Sequence, residues 1–159
     1  MLEMIRSVED STFVQYYEFS ITDHGGPGDP DAKSYDSSWN DRGVEPEWLV
    51  AADNMLMITS EFDGHRPRIR FEVWPSDPGP RHDAEVITTS FYVSSGSIAI
   101  DEMLTDTKNL AVELGPPKSN WNVRGHRTTL VPPDHFPEDA DEELEAYLFQ
   151  FWPGDPQAR

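Results

Sequence analysis

The sequence predicts an all-β protein, an antiparallel β-sandwich of about eight strands with one short helix. Three observations lead to this prediction. Apolar residues recur at every second position in several short segments, which is the period of a strand with one buried face. Clusters of Gly, Pro, Asp and Ser separate these segments at short intervals. Eighteen aromatic residues supply large side chains for the core between two sheets.

The first half of the chain contains three predicted strands, at residues 12–22, 55–61 and 68–74. The last has the clearest alternation, because Ile69, Phe71 and Val73 face one way and Arg68, Arg70 and Glu72 face the other. Residues 23–38 are rich in Gly, Pro, Asp and Ser, and we expect a long exposed loop there.

The one predicted helix covers residues 44–52. Pro46 would be its first helical residue, where a proline loses no hydrogen bond and already has the required φ. Trp48, Leu49 and Ala52 would form its apolar side. We expect Trp39 and Trp48 to pack at the edge of the sandwich. The helix is expected to end near Asp53, which would cap it or tie the following turn.

Five further strands are predicted in the second half. They cover residues 86–93, 98–100, 110–114, 121–130 and 146–152. Ser94, Ser95, Gly96 and Ser97 form a tight turn that makes the first two a hairpin. Gly125 falls inside a strand pattern, where a glycine can mark a bulge.

The length of 159 residues fits one domain. Residues 1–11 are expected to form an N-terminal extension, residues 12–152 a single β-sandwich domain, and residues 153–159 a flexible tail. The chain has no cysteine, which excludes a disulfide framework and fits a reducing compartment. No apolar run has the length of a signal peptide or a membrane span, so we expect a cytoplasmic protein without a membrane partner.

Charge gives the best information about partners. Thirty acidic residues face twelve basic ones, and the formal net charge is −18. Such a surface attracts basic surfaces. It repels nucleic acid, whose binding requires Lys and Arg against the phosphates. The sequence therefore predicts a basic protein partner and no nucleic acid, and it leaves the oligomeric state open.

The sharpest acidic feature places seven carboxylates within twelve residues that contain no Lys or Arg. These candidate partner-binding residues are Asp134, Glu138, Asp139, Asp141, Glu142, Glu143 and Glu145. Two interpretations stay open. The run is either a linker kept soluble by its charge, or a docking surface whose carboxylates pair with arginines of a basic cleft.

Basic residues also fall into two groups, one of Arg66, Arg68 and Arg70 and one of Lys118, Arg124 and Arg127. Within such a surplus of acids, we expect these residues to pair with carboxylates on neighbouring strands.

Metal and cofactor signatures are weak. No two of the five histidines lie within four residues of each other, although His126 lies in a strand pattern between Arg124 and Arg127. Asp23, Asp29, Asp31 and Asp36 share one loop and offer oxygen ligands for calcium, without the spacing of an EF-hand. A calcium- or carbohydrate-binding module is therefore the alternative function, and we predict no cofactor.

Catalytic signatures are missing as well. The sequence has no nucleophile elbow, and Ser94, Ser95 and Ser97 belong to a turn. We expect no enzymatic activity. An enzyme with loop-borne carboxylates would need a pocket whose acids have raised pKa values.

Residues 39–58 resemble the competence J family. The resemblance rests on the Trp39-x-Asp41 start, Val44 and Glu45, Trp48, then Ala51-Ala52-Asp53 and an apolar strand. The order of the remaining predicted strands is similar to that of this family, and the resemblance covers about nine-tenths of the chain.

The resemblance implies a bacterial β-protein that inhibits a DNA-entry nuclease during competence, or a related immunity protein. This implication agrees with the charge, because a nuclease has a basic cleft to which an acidic scaffold can bind. The leading hypothesis is therefore an acidic, non-enzymatic inhibitor of a basic enzyme, with a nuclease as the first candidate.

Overall fold

The computed structural model describes residues 2–25, 29–32, 47–81, 84–101 and 110–157. Within these residues the chain forms ten strands and no helix: β1 (Arg6–Ser11), β2 (Glu18–Asp23), β3 (Leu49–Ala52), β4 (Met55–Thr59), β5 (Arg68–Val73), β6 (Glu85–Val93), β7 (Ser97–Asp101), β8 (Val112–Glu113), β9 (Ser119–Thr129) and β10 (Glu145–Pro153). They make a first sheet in the order β1-β5-β10-β9-β6 and a second in the order β3-β4-β2-β7-β8. The predicted all-β sandwich is confirmed.

The core lies between the two sheets and follows from the alternation in the sequence. In β5, Ile69, Phe71 and Val73 are fully buried, as predicted. The ring of Phe71 stacks against Phe149 and Phe151 of the neighbouring β10, with ring centroids 6.0 and 6.2 Å apart. Each such ring removes a large apolar area from water, so this aromatic layer provides much of the hydrophobic stabilisation.

The connection from β5 to β6 crosses the outer face of the first sheet. β10 runs parallel to β5 and antiparallel to β9, which in turn runs antiparallel to β6, so β5 and β6 point the same way. The crossing segment is held by a bidentate pair between Asp77 and Arg124, at 2.6 and 3.0 Å. Arg81 completes the attachment with a 3.2 Å bond to the buried carboxylate of Glu72.

The predicted helix is wrong where the structure describes it. Leu49–Ala52 forms the strand β3, which pairs antiparallel with β4. Trp48 packs partly buried against the core, with its ring 5.9 Å from that of Tyr147. Residues 39–46, which include Trp39 and Pro46, lie outside the described residues.

Two other expectations are changed. The predicted strand 12–22 is interrupted by a turn at Tyr16 and Tyr17, after which β2 begins at Glu18. Gly125 marks no bulge, because β9 pairs without interruption on both sides of it. It is required instead for a close approach between the sheets, since a Cβ there would lie 2.7 Å from Leu49 Cδ2.

Residues Arg6–Ser11, part of the expected N-terminal extension, form β1 and pair with β5 along its whole length. None of the described segments forms a helix of the length and hydropathy needed to cross a membrane.

Candidate partner-binding site

The acidic loop, residues 134–143, connects β9 to β10 at one end of the sandwich. A backbone bond from Leu130 N–H to the carbonyl of Leu144, at 2.8 Å, closes its base. Its most exposed carboxylates belong to Asp134, Glu138, Asp139, Asp141 and Glu143. Five of the seven predicted residues therefore face solvent on one loop.

Hydrogen bonds within the acidic loop give it a defined shape. The carboxylate of Glu142 accepts the backbone N–H of Glu138 at 2.9 Å and lies 2.6 Å from Nε2 of His135. These bonds hold the pKa of Glu142 below its ordinary value. The backbone N–H of Glu142 donates to the carbonyl of Asp139 at 3.1 Å. Half-buried Glu142 thus organises the loop, and its neighbours carry the outward charge.

One aromatic side chain stands among these acids. Phe136 is 83% exposed, the highest value for any large apolar residue in the described chain. An exposed apolar ring within a charged rim is the arrangement found at the anchor residues of protein interfaces.

Glu145, the seventh predicted residue, lies inside the fold. Its Oε1 accepts hydrogen bonds from the hydroxyls of Ser60 and Tyr147, and its Oε2 accepts the backbone N–H of Glu61 at 3.1 Å. Burial would raise the pKa of Glu145, but these bonds and that from His65 outweigh it, so the pKa lies below its ordinary value. Burial raises the pKa of Tyr147, and the neighbouring carboxylate of Glu145 raises it further.

Ser60, His65 and Glu145 include the residue types of a hydrolytic triad, but they are all buried. The Ser60 hydroxyl donates to Glu145 and is therefore left to accept from His65 Nε2, at 3.0 Å. Because His65 Nε2 donates to the Ser60 oxygen, it cannot act as the base that takes the serine proton in hydrolytic catalysis. The cluster instead joins the second sheet, where Ser60 follows β4, to the start of β10 in the first.

The six basic residues of the two sequence groups pair with carboxylates, as expected. Arg68 binds Glu143 of the acidic loop at 3.1 Å, and Arg66 lies 3.5 Å from Asp141. The remaining pairs are Arg70 with Glu72 and Glu9, Arg124 with Asp77, Arg127 with Glu61 and Glu85, and Lys118 with Asp29 and Asp31. The basic groups therefore form no cationic face of their own.

The aspartates of the suggested calcium loop bind protein donors at the opposite end of the sandwich. Asp23 accepts the N–H and hydroxyl of Ser95 at 2.9 and 2.6 Å. Asp29 accepts the Tyr92 hydroxyl at 2.6 Å, which lowers the pKa of Asp29, and it lies 3.6 Å from the Lys118 ammonium. No group of three or more His, Cys, Asp or Glu side chains in the described chain could hold a metal ion. Asp36 is outside that part of the chain.

His126 also has a structural environment. Its Nε2 accepts the backbone N–H of Arg81 at 3.1 Å, so the proton of the neutral ring lies on Nδ1, which faces the carbonyl of Leu148 at 3.3 Å. Burial lowers the pKa of His126, and the nearby arginines lower it further.

The turn at Tyr16 and Tyr17 is a feature that the sequence did not indicate. Both residues have positive φ, 56° and 64°, and both side chains are exposed. The Tyr17 carbonyl accepts the N–H of Ser60 at 2.7 Å, which places the turn beside residues 60–67, the same segment that contacts the acidic loop. Two adjacent tyrosines have none of the usual turn composition, so alternation alone suggested a continuous strand.

Comparison with known proteins identifies the fold, through solved structures and not through sequence. No family model matches the chain, and no curated protein sequence matches it. ComJ from Bacillus subtilis, inhibitor of the DNA-degrading activity of NucA, superposes with a TM-score of 0.59 at 16% identity, over 97% of this chain and 99% of ComJ.

A second solved structure, described as crocagin biosynthetic gene J, superposes with a TM-score of 0.55 at 13% identity, over 98% of this chain and 99% of that one. Both superpositions extend over almost the entire length of both chains. The chain therefore has a ComJ-like fold.

Proposed function

We propose that this protein is a non-enzymatic inhibitor that binds a basic enzyme, with a nuclease as the first candidate. The observation that carries the proposal is the end-to-end likeness to ComJ, an inhibitor of a DNA-degrading activity. The net charge of −18 supports it independently, because an enzyme that holds DNA needs a cationic cleft.

The acidic loop is the proposed contact surface. Its carboxylates sit on a hydrogen-bonded loop whose base is tied to the sandwich, so they meet a partner in a preset arrangement. Preorganisation lowers the entropy that binding must overcome. Carboxylates of this kind can pair with arginines through two parallel bonds, and Phe136 would add apolar contact.

The test is inhibition of DNA degradation by a panel of basic nucleases that includes NucA. Inhibition that reaches completion near equimolar protein is expected, with an association rate that decreases steeply as salt increases. Failure to inhibit any nuclease of the panel at micromolar concentration would contradict the proposal.

A matched pair of variants assigns the contact surface. Asp134→Asn/Glu138→Gln/Asp139→Asn removes three charges from the acidic loop. Glu3→Gln/Glu113→Gln/Asp155→Asn removes three exposed charges from the other end of the sandwich. The first variant should slow association at least ~10-fold at low salt, and the second much less, because steering depends on where the charge lies. Equal effects would mean that only the net charge acts and that the loop is not the contact.

A further inference from the structure

The Tyr16–Tyr17 turn is strained, and its side chains point out of the fold. The N–H of Glu18 donates to the Gln15 carbonyl at 3.2 Å, and both central residues have positive φ. This is type I′ geometry, for which Asn-Gly is the favoured pair. A bulky side chain at positive φ is an outlier, and such outliers concentrate at functional sites.

At least half of each tyrosine side chain is left uncovered by the fold. Tyr16 is 79% exposed and Tyr17 is 50% exposed. Backbone contacts hold the turn instead, since the Tyr17 N–H lies 3.3 Å from Asp63 Oδ1 and its carbonyl accepts the Ser60 N–H. A glycine or asparagine could make the same backbone contacts with less strain. The backbone contacts of the turn thus require neither aromatic ring, and the uncovered part of both rings is open to a partner.

Position connects the turn to the acidic loop. The turn binds the start of the segment 60–67 through Ser60. The end of that segment binds the acidic loop, where the N–H of Arg66 donates to the Glu142 carbonyl at 2.9 Å. Between these points, His65 lies 3.4 Å from buried Glu145, the residue that begins β10 just after the loop. Both features therefore belong to one end of the sandwich and are joined by a short, internally bonded segment.

We propose that Tyr16 and Tyr17 are aromatic anchors of the surface that binds the basic enzyme. This inference rests on the proposed inhibitory function. The charge around the turn favours such a partner, because Glu18 is exposed beside it and the Asp63 carboxylate bonds to its backbone. Tyrosine is enriched among interface residues that dominate affinity, and its ring face attracts Lys and Arg side chains. The acidic loop guides encounter, and the tyrosines slow dissociation.

The experiment measures inhibition and binding kinetics with NucA and the same panel of basic nucleases. Tyr16→Asn/Tyr17→Gly removes both rings and installs the preferred turn residues, so the variant folds without the strain. Tyr16→Phe/Tyr17→Phe keeps the rings. Ile5→Ala is the control, since Ile5 is 51% exposed and lies at the opposite end, bonded to Val73.

The Asn/Gly variant should bind at least ~30-fold more weakly, almost entirely through faster dissociation, with an unchanged salt dependence of association. The Phe/Phe and Ile5→Ala variants should stay within about 3-fold of the wild type. Wild-type affinity in the Asn/Gly variant would overturn this inference and leave the inhibitory function standing. If the wild type inhibits none of the nucleases, both the function and this inference are overturned.

Discussion

Nε2 of His65 lies 3.4 Å from Oε1 of Glu145, and neither side chain is exposed to solvent. This contact joins the segment after β4 to the first residue of β10, and so connects the two sheets at the end that carries the acidic loop. A buried carboxylate is stable only when its oxygens are satisfied, and here three further donors bind it.

Glu145→Gln should therefore destabilise the protein strongly. The amide group would place a donor against the Ser60 and Tyr147 hydroxyls or the Glu61 N–H, and one of these groups would lose its acceptor. We expect a loss of about 2–4 kcal/mol in the free energy of unfolding, measured by urea denaturation.

Glu143→Gln is the matched control, because it makes the same change two residues earlier. Glu143 is exposed and pairs with Arg68 at the surface, so we expect a loss below about 1 kcal/mol. Equal losses in the two variants would show that the buried network contributes little.

Stability should decrease in two steps as the pH falls. Burial lowers the pKa of His126 below its ordinary 6.5. As the pH falls, His126 therefore binds a proton in the unfolded chain before it does so in the folded protein. The stability that neutral His126 provides is complete above that value and declines below it. Burial alone would raise the pKa of Glu72 and Glu145. Their hydrogen bonds instead hold the pKa of both groups below the ordinary 4.5. A second decline in stability therefore begins near pH 4.5, where these carboxylates start to be protonated in the unfolded chain.

His126→Gln separates the two steps, because Gln offers an oxygen to the Arg81 N–H and does not titrate. Urea denaturation at a series of pH values should give a variant whose stability falls less steeply than that of the wild type between pH 7 and about 5, and like that of the wild type below this range. An unchanged slope in the upper range would assign that slope to other groups.

Calcium should leave the melting temperature unchanged. A ligand that binds the folded state must raise it, but the carboxylates of Asp23 and Asp29 already bind Ser95 and Tyr92, and the Lys118 ammonium occupies the neighbouring space. Differential scanning fluorimetry across a calcium titration checks this. A concentration-dependent increase that magnesium does not reproduce would favour the alternative, a calcium-binding module.

Alternation predicted the strands that have one buried face, because a period of two is visible within a single segment. β5 and β10 are clear examples, with Phe71, Phe149 and Phe151 all on the core side. The parallel pairing of these two strands is not contained in either segment, since it depends on where each lies in the sheet. Strand β1 was missed because its only apolar residue is Val8.

Short apolar runs were the main source of error. Trp48, Leu49 and Ala52 fit one side of a helical turn, and Pro46 before them favoured that choice. The four residues of β3 pair instead with β4, because tertiary contacts outweigh propensity in so short a segment. In the acidic run, charge predicted exposure correctly for Asp134 and Glu138. It could not predict that Glu145 turns inward, since that depends on donors from the segment after β4 and from Tyr147.

The tyrosine turn gives the last prediction, which concerns stability alone. Tyr16→Asn/Tyr17→Gly should raise the free energy of unfolding by about 1 kcal/mol. Left-handed backbone costs about 1–2 kcal/mol for a bulky residue, and the variant removes this cost. The glycine offsets part of this gain, because it increases the conformational entropy of the unfolded chain. For a chain of this length the melting temperature should increase by about 2–4 °C. Thermal denaturation with Tyr16→Phe/Tyr17→Phe as control, which keeps the strain, measures the difference. A decrease instead would mean that the two rings stabilise the fold, and the argument that they are kept for a partner would lose its physical basis.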